Sequence, residues 1–229
     1  MELDNYLKQN FDFSKVTAIN EPHLACVLLL DTSGSMEGQP LRELNNAINR
    51  FIQETNMNEL AKKRVDVAIV GFDDEPYLIS DFIPVVNMKP VQLSTGGLTS
   101  MGSGINMAID LVKERNRFYS STGVSCFKPW IFMITDGLPT DSIQEAARRI
   151  TEEEQKGKLK FFALGVEGYD PDSLFKLTNR VIELSDTNFS TIFDWLSESM
   201  CIISTSRIGE TIQLGPLPYN AKYLPPESF

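Results

Sequence analysis

The sequence predicts an α/β domain: a doubly wound, mostly parallel six-stranded sheet with one antiparallel edge strand and helices on both faces. Three observations lead there. Extended apolar runs alternate with segments of helical period, as in a parallel sheet joined by crossover helices. Two neighbouring β-rich runs, "RVDVAIVGF" and "PYLISDFIPV", are separated by only a short acidic turn and so read as a hairpin. The 229 residues suffice for one domain with a sizeable core but would leave two domains small.

Each element follows in order. The first strand is "HLACVLLL". Behind it Leu41, Leu44, Ile48, Phe51 and Ile52 recur at helical spacing, and Pro40 sets the φ of the first helical turn. "RVDVAIVGF" is the second strand. The run interrupted by Pro84 is the antiparallel edge, where a missing N–H donor is tolerated. A Gly-rich loop, "STGGLTSMGSG", leads into a helix whose inward face is Ile105, Ala108, Ile109 and Val112. "PWIFMIT" is the fourth strand. In the following "DGLPTDSIQEA", Asp141 with Gln144, or Ser142 with Glu145, has the spacing of a capping box and predicts the start of the next helix. "KLKFFALGV" is the fifth strand, "DPDSLFKL" a helix with an Asp cap and Pro at its first position, and "RVIEL" a short sixth strand. The last helix places Ile192, Phe193, Leu196, Met200 and Ile203 on one face. The final "RIGETIQLGPLPYNAKYLPPESF", with four prolines, reads as an extended arm. The expected organisation is an N-terminal extension (1–23), one domain (24–204) and a C-terminal extended arm (205–229).

Composition narrows the function. Lys plus Arg number 21 against 31 Asp plus Glu, and a net charge of -10 repels both the nucleic-acid backbone and an anionic membrane. Neither is expected as a partner. Cys26, Cys126 and Cys201 lack CxxC spacing, which fits neither a disulfide framework nor a zinc knuckle. With no run of eighteen apolar residues, the expected location is the cytoplasm.

In such a sheet, ligands bind beyond the carboxyl ends of the strands, where neighbouring crossovers go to opposite faces. Three polar loops qualify: Asp31, Ser33 and Ser35 in "LLLDTSGSMEG", Thr99 in the Gly-rich loop, and Asp136 with Gly137 in "MITDG". If the first and fourth strands are neighbours with diverging crossovers, Asp31 and Asp136 face each other and Thr99 reaches the crevice from above. Ser33 and Ser35 point the same way along an extended loop, and Gly34 leaves the backbone free to turn between them. Hydroxyls and carboxylates without His or Cys favour Mg²⁺ or Mn²⁺ over zinc.

These stretches, "DTSGSMEG", "GGLTSMG" and "TDG", resemble the von Willebrand factor A domain and its metal-ion-dependent adhesion site, over roughly residues 24 to 204. The resemblance implies that Ser33, Ser35 and Thr99 ligate the cation directly, while Asp31 and Asp136 act mainly through water or as outer ligands. It also implies an α/β sheet with one antiparallel edge. A weaker likeness is to the bacterial TerY-like proteins of tellurite-resistance operons, which implies kinase and phosphatase partners and a stress-response setting. A cation held by neutral hydroxyls keeps most of its charge, so a vacant or water-filled position can take a carboxylate from outside. The expected function is a cation-dependent protein–protein interaction module whose partner offers an Asp or Glu.

The same residues admit rival readings. A lone DxSxS is ordinary capping chemistry; only the three loops together make a metal site. Ser94, Thr95, Ser100 and Ser103 share the loop of Thr99, so the ligand register is open. Asp73, Asp74 and Glu75 follow the second strand and could serve a metal-dependent phosphohydrolase as general base, although turn chemistry accounts for them. No GxSxG elbow and no second Asp of a DxD site is present, so no catalytic residue is expected. An adaptor to an AAA ATPase, of chelatase or chaperone type, is a further alternative, as is a cation that only ties loops together. "GSGINM" has Met107 in place of the third Gly of a dinucleotide fingerprint, and no Walker motif GxxxxGK occurs. His23, eight residues from Asp31 along a strand, lies about 26 Å away at about 3.3 Å per residue. It reads as a polar residue at a strand end. Cys26 reads as core, and Met101 and Met107 as packing residues.

Overall fold

The computed structural model describes residues 18–225. The first 17 residues of the expected N-terminal extension and the last four of the arm lie outside them. The elements run β1 (Leu24–Asp31), α1 (Gln39–Met57), α2 (Ala61–Arg64), β2 (Val65–Phe72), β3 (Pro76–Pro84), α3 (Met101–Thr122), β4 (Trp130–Thr135), α4 (Gln144–Gln155), β5 (Lys160–Gly165), α5 (Pro171–Leu177), β6 (Val181–Leu184), α6 (Phe189–Thr205) and β7 (Ala221–Tyr223). The sheet order is β3-β2-β1-β4-β5-β6-β7. β1 pairs in parallel with both β2 and β4, and β4, β5 and β6 continue the parallel block.

Alternation along β1 shows how the layers are built. Leu24, Cys26, Leu28 and Leu30 face one core, with α1 and α6 packed over it through Leu44, Ile48, Phe51, Ile192, Phe193 and Leu196. Ala25, Val27 and Leu29 face the other, under α3, α4 and α5. A strand buried on both faces must be apolar throughout, which is why β1, β2 and β4 read as continuous hydrophobic runs. The inward faces expected for α1, α3 and α6 are the buried ones, except that Leu41 of α1 is only partly buried. Each fully buried Leu, Ile or Phe contributes about 1.5–3 kcal/mol relative to exposure.

Two expectations need correction. The sheet has seven strands among the described residues, because the arm folds back and Ala221–Tyr223 pairs antiparallel with β6. Both edges are therefore antiparallel, β3 at one side and β7 at the other. Three residues beside four prolines carry no period long enough to announce a strand. The arm is held by Trp195 Nε1, which donates to the Gly215 carbonyl (3.0 Å), and by Asn220, whose carbonyl accepts from the Ser185 N–H (2.9 Å).

The capping box is the second. The residue before α4 is Ile143, and no side chain caps that helix. Asp141 instead accepts from the N–H groups of Gly102 and Ser103 (2.8 Å each) and from the Ser103 hydroxyl (2.8 Å), at the first turn of α3. The motif's spacing was met, but the unsatisfied donors of a helix distant in sequence were nearer in space. Asp170, by contrast, caps α5 as expected, accepting from the Ser173 N–H at 3.1 Å. Among the described residues, no helix is long and apolar enough to cross a membrane.

Candidate metal centre

The β1→β2 crossover, α1, lies on one face of the sheet, and the β4→β5 crossover, α4, on the other. β1 and β4 are neighbours. Their carboxyl ends form the switch point at which the loops of Asp31 and Asp136 were expected to meet, and they do.

Asp31 is fully buried at the end of β1. Its Oδ1 accepts from the Ser33 N–H (2.9 Å) and its Oδ2 from the Thr135 hydroxyl (2.6 Å), the last residue of β4. The chain then turns tightly through Gly34–Met36. Ser33 Oγ and Ser35 Oγ lie 3.0 Å apart, and Ser35 Oγ donates to Asp136 Oδ1 at 2.7 Å. The two serines thus share a side as expected, but through a 3₁₀ turn rather than an extended loop. Gly34 has no positive φ; its N–H donates to the Gly97 carbonyl at 3.2 Å, so it joins loops rather than supplying an unusual turn.

Thr99 is brought in by backbone clamps. Gly96 N–H donates to the Thr32 carbonyl (2.9 Å), and Asp74 Oδ1 accepts from the Leu98 N–H (2.9 Å). Gly97 has φ +68°, and a Cβ there would stand 2.7 Å from Asp74 Oδ2, so glycine is required on both counts. On the other side, Thr99 N–H donates to Thr140 Oγ1 (3.2 Å) and Thr140 N–H to the Thr99 carbonyl (2.9 Å). Thr99 Oγ1 and Asp31 Oδ2 lie 3.2 and 3.8 Å from the point a Cβ on Gly137 would occupy, so all three loops converge there. Of the other hydroxyls in its loop, Ser103 is held by Asp141, and Ser100 Oγ is buried without a hydrogen-bond partner.

Burial pushes Asp31 above the usual carboxylate range; hydrogen bonds from Ser33 and Thr135 oppose this, and the charge of Asp136 adds to it. Burial raises Asp136 likewise, against the hydrogen bond from Ser35. Asp31 and Asp136, close enough for the charge of one to raise the other and joined to no basic side chain among the described residues, form a site that a cation relieves. Among the described residues there is no group of three or more His, Cys, Asp or Glu fit to hold a metal. The loops at the β1/β4 switch point bring together two carboxylates and three hydroxyls, oxygen ligands of the kind that divalent cations take.

The positioning residues were missed by sequence reasoning. Thr135 orients Asp31, Thr140 and Asp74 fix the loop of Thr99, and Asp141 ties the start of α3 to the loop after β4. Asp74 reads in sequence as a turn residue; the turn is real, but its side chain reaches 24 positions along the chain. No local pattern signals such a bond. His23, distant from the site as expected, is fully buried, with Nδ1 2.9 Å from Asp66 Oδ2. Cys26 is core, and burial lifts its thiol to about 12; burial also raises Cys126 and Cys201.

The profile of the von Willebrand factor type A domain matches residues 26–195. The chain belongs to that family. Within it, 121 residues are 31% identical to the minor fimbrium subunit Mfa5 of Porphyromonas gingivalis, an alignment covering 50% of this chain and only 9% of that protein. The crystal structure of the vWF domain of Mfa5 superposes with a TM-score of 0.60 at 14% identity, covering 84% of this chain and 99% of that one. Proximal thread matrix protein 1 of the mussel byssus, in a structure whose MIDAS motif is occupied by zinc, gives a TM-score of 0.57 at 18% identity over 79% of this chain and 46% of that one. At these identities the solved type A domains establish the shared fold.

Proposed function

We propose that this type A domain is a non-catalytic interaction module that binds one Mg²⁺ or Mn²⁺ through Ser33, Ser35 and Thr99, with Asp31 and Asp136 as outer or water-bridged ligands. A carboxylate of a partner protein completes the coordination. The observation that carries this is the convergence of three sequence-distant loops at the β1/β4 switch point, with hydroxyls outnumbering carboxylates. When bound, the cation supplies a Lewis-acidic position open to an external carboxylate. Asp31 and Asp136 lower the local potential, Thr135 and Thr140 fix their neighbours, and Asp74 holds the Thr99 loop.

The rim supports a partner. Leu98 and Leu138, next to Thr99 and Gly137, are 61% and 63% exposed. Apolar side chains beside a charged centre give a docking protein area to bury around its carboxylate. Of the carboxylates that a hydrolase could use as general base, Asp74 accepts from the Leu98 N–H and Asp73 from the Glu75 N–H of its own turn, which favours the structural role for both. Three unpaired thiols suit a reducing compartment, which supports a cytoplasmic location. The tellurite-resistance setting with kinase and phosphatase partners rests on the sequence resemblance alone. Titration calorimetry with Mg²⁺ and Mn²⁺ tests the site: uptake is expected in the wild type and lost in Ser33→Ala and Asp31→Ala. No uptake by folded wild-type protein overturns the proposal.

A further inference from the structure

At the opposite end of the sheet from the metal loops, a cavity of about 320 Å³ opens between the first residues of β4 and β5 and the junction of α6 with the arm. Its volume is at the lower end of small-molecule sites, about 300–1,000 Å³. Lys128, Lys160 and Arg207 line it, with Glu210 the acidic side chain among the lining residues. In a chain of net charge -10 this lining carries a net charge of +2, three cations less one carboxylate.

The neighbouring acids offset those cations only in part, the charge of Glu154 opposing the lowering of Lys160. Glu154 Oε1 accepts from Arg180 Nη1 (2.7 Å) and the Phe161 N–H (2.8 Å), and Glu210 Oε2 accepts from the backbone N–H of Arg207 (2.9 Å). No ion pair joins Lys128, Lys160 or Arg207 to a carboxylate among the described residues. The Lys160 ammonium lies 5.7 Å from the centroid of the Trp130 ring, on a half-buried stem. Burial first, then the charges of Arg180 and Lys128, hold it below the usual lysine range. Three cations with one carboxylate among them leave an excess of positive charge in this recess, which a bound anion stabilises. Ile208, Ile212 and Leu214 supply an apolar wall.

We propose that this cavity binds a small organic phosphate monoester, the phosphate between Lys128, Lys160 and Arg207 and the apolar body against Ile208 and Leu214. A phosphate monoester carries about -1.5 to -2 at neutral pH, which matches the lining; a guanidinium with two ammonium groups suits its three terminal oxygens. Such a ligand bridges the base of the sheet and the start of the arm.

Phenyl phosphate is the probe, titrated into the full chain and followed by calorimetry and by tryptophan fluorescence, since Trp130 lines the cavity. Saturable binding is expected, weakened about tenfold or more by Lys160→Met and by Arg207→Ala, the loss typical of one charged hydrogen bond. Inorganic phosphate is expected to bind about tenfold more weakly for want of the apolar contact, and benzyl alcohol not at all. Circular dichroism confirms that each variant is folded; Arg207, on an exposed turn, keeps the test valid if Lys160→Met unfolds. No saturation by about 10 mM, unchanged affinity in folded Arg207→Ala, or equal affinity for inorganic phosphate overturns the proposal.

Discussion

Asp66, on β2, is fully buried, as are His23 and Tyr119, and Arg115 is 7% exposed. Asp66 Oδ2 accepts from Arg115 Nη2 (2.7 Å) and from the Tyr119 hydroxyl, and faces His23 Nδ1 at 2.9 Å; the Arg115 guanidinium also lies 4.9–5.6 Å from the ring centroids of Tyr119, Phe118 and Phe82. Asp66→Ala leaves that guanidinium buried without its counter-charge. Breaking a buried pair in this way costs about 3–5 kcal/mol. At about 2–4 °C per kcal/mol for a chain of this size, the midpoint of thermal unfolding should fall by about 6–20 °C. The sign of the pH dependence follows from the same contacts. Burial pushes the Asp66 carboxyl up, but the hydrogen bond from His23 and the charge of Arg115 outweigh it and hold the group below its ordinary 3.8. A carboxylate with a depressed folded-state pKa contributes stability that is complete above 3.8 and is lost as pH falls through the folded value. Scanning calorimetry of wild type and Asp66→Ala at a series of pH values should show a gap constant near neutrality that closes in acid. A neutral-pH gap below about 2 °C would refute the reasoning, since it would mean that the cluster contributes nothing net.

Asp141→Ala removes the side-chain acceptor of the Gly102 and Ser103 N–H groups and the link of α3 to the loop after β4; a stability loss of about 0.5–2 kcal/mol in urea denaturation is expected, with weaker Mg²⁺ uptake because Thr99 lies two residues before α3. Thr135→Val deletes the 2.6 Å hydrogen bond to buried Asp31 while keeping shape, so calorimetry should record both a destabilisation of about 1–3 kcal/mol and a fall in cation affinity. Gly102→Ala would set a Cβ 2.3 Å from the Ser142 carbonyl and should lower the melting temperature by several degrees despite alanine's helix preference. Leu98→Ser with Leu138→Ser should leave cation uptake unchanged in calorimetry yet weaken partner binding measured by surface plasmon resonance.

Helix faces, strands and the three oxygen-bearing loops were legible because each depends on neighbours within a few residues: a period of 3.6, a fully apolar run, a Pro at a first turn. That the loops of Asp31, Ser33, Ser35, Thr99 and Asp136 meet could be anticipated because strand ends in a parallel sheet share one edge. That edge is a consequence of chain direction. The bonds between loops were not legible, as with Asp141 at the start of α3 or Asp74 at Leu98, since a carboxylate satisfies whichever donors the fold delivers. For the same reason His23 reads as a strand-end residue and is found against Asp66, and the short β7 exists only because β6 offers an unpaired edge.

What the sequence by itself determined is thus the class of sheet, the family and the chemical character of the loops. Tertiary structure alone decided which side chains hold those loops in register and where the arm docks. It also decided that Lys128, Lys160 and Arg207 line one recess at the far end of the sheet. Hydrogen bonds and charges act over distances in space, and separation along the chain gives no measure of those.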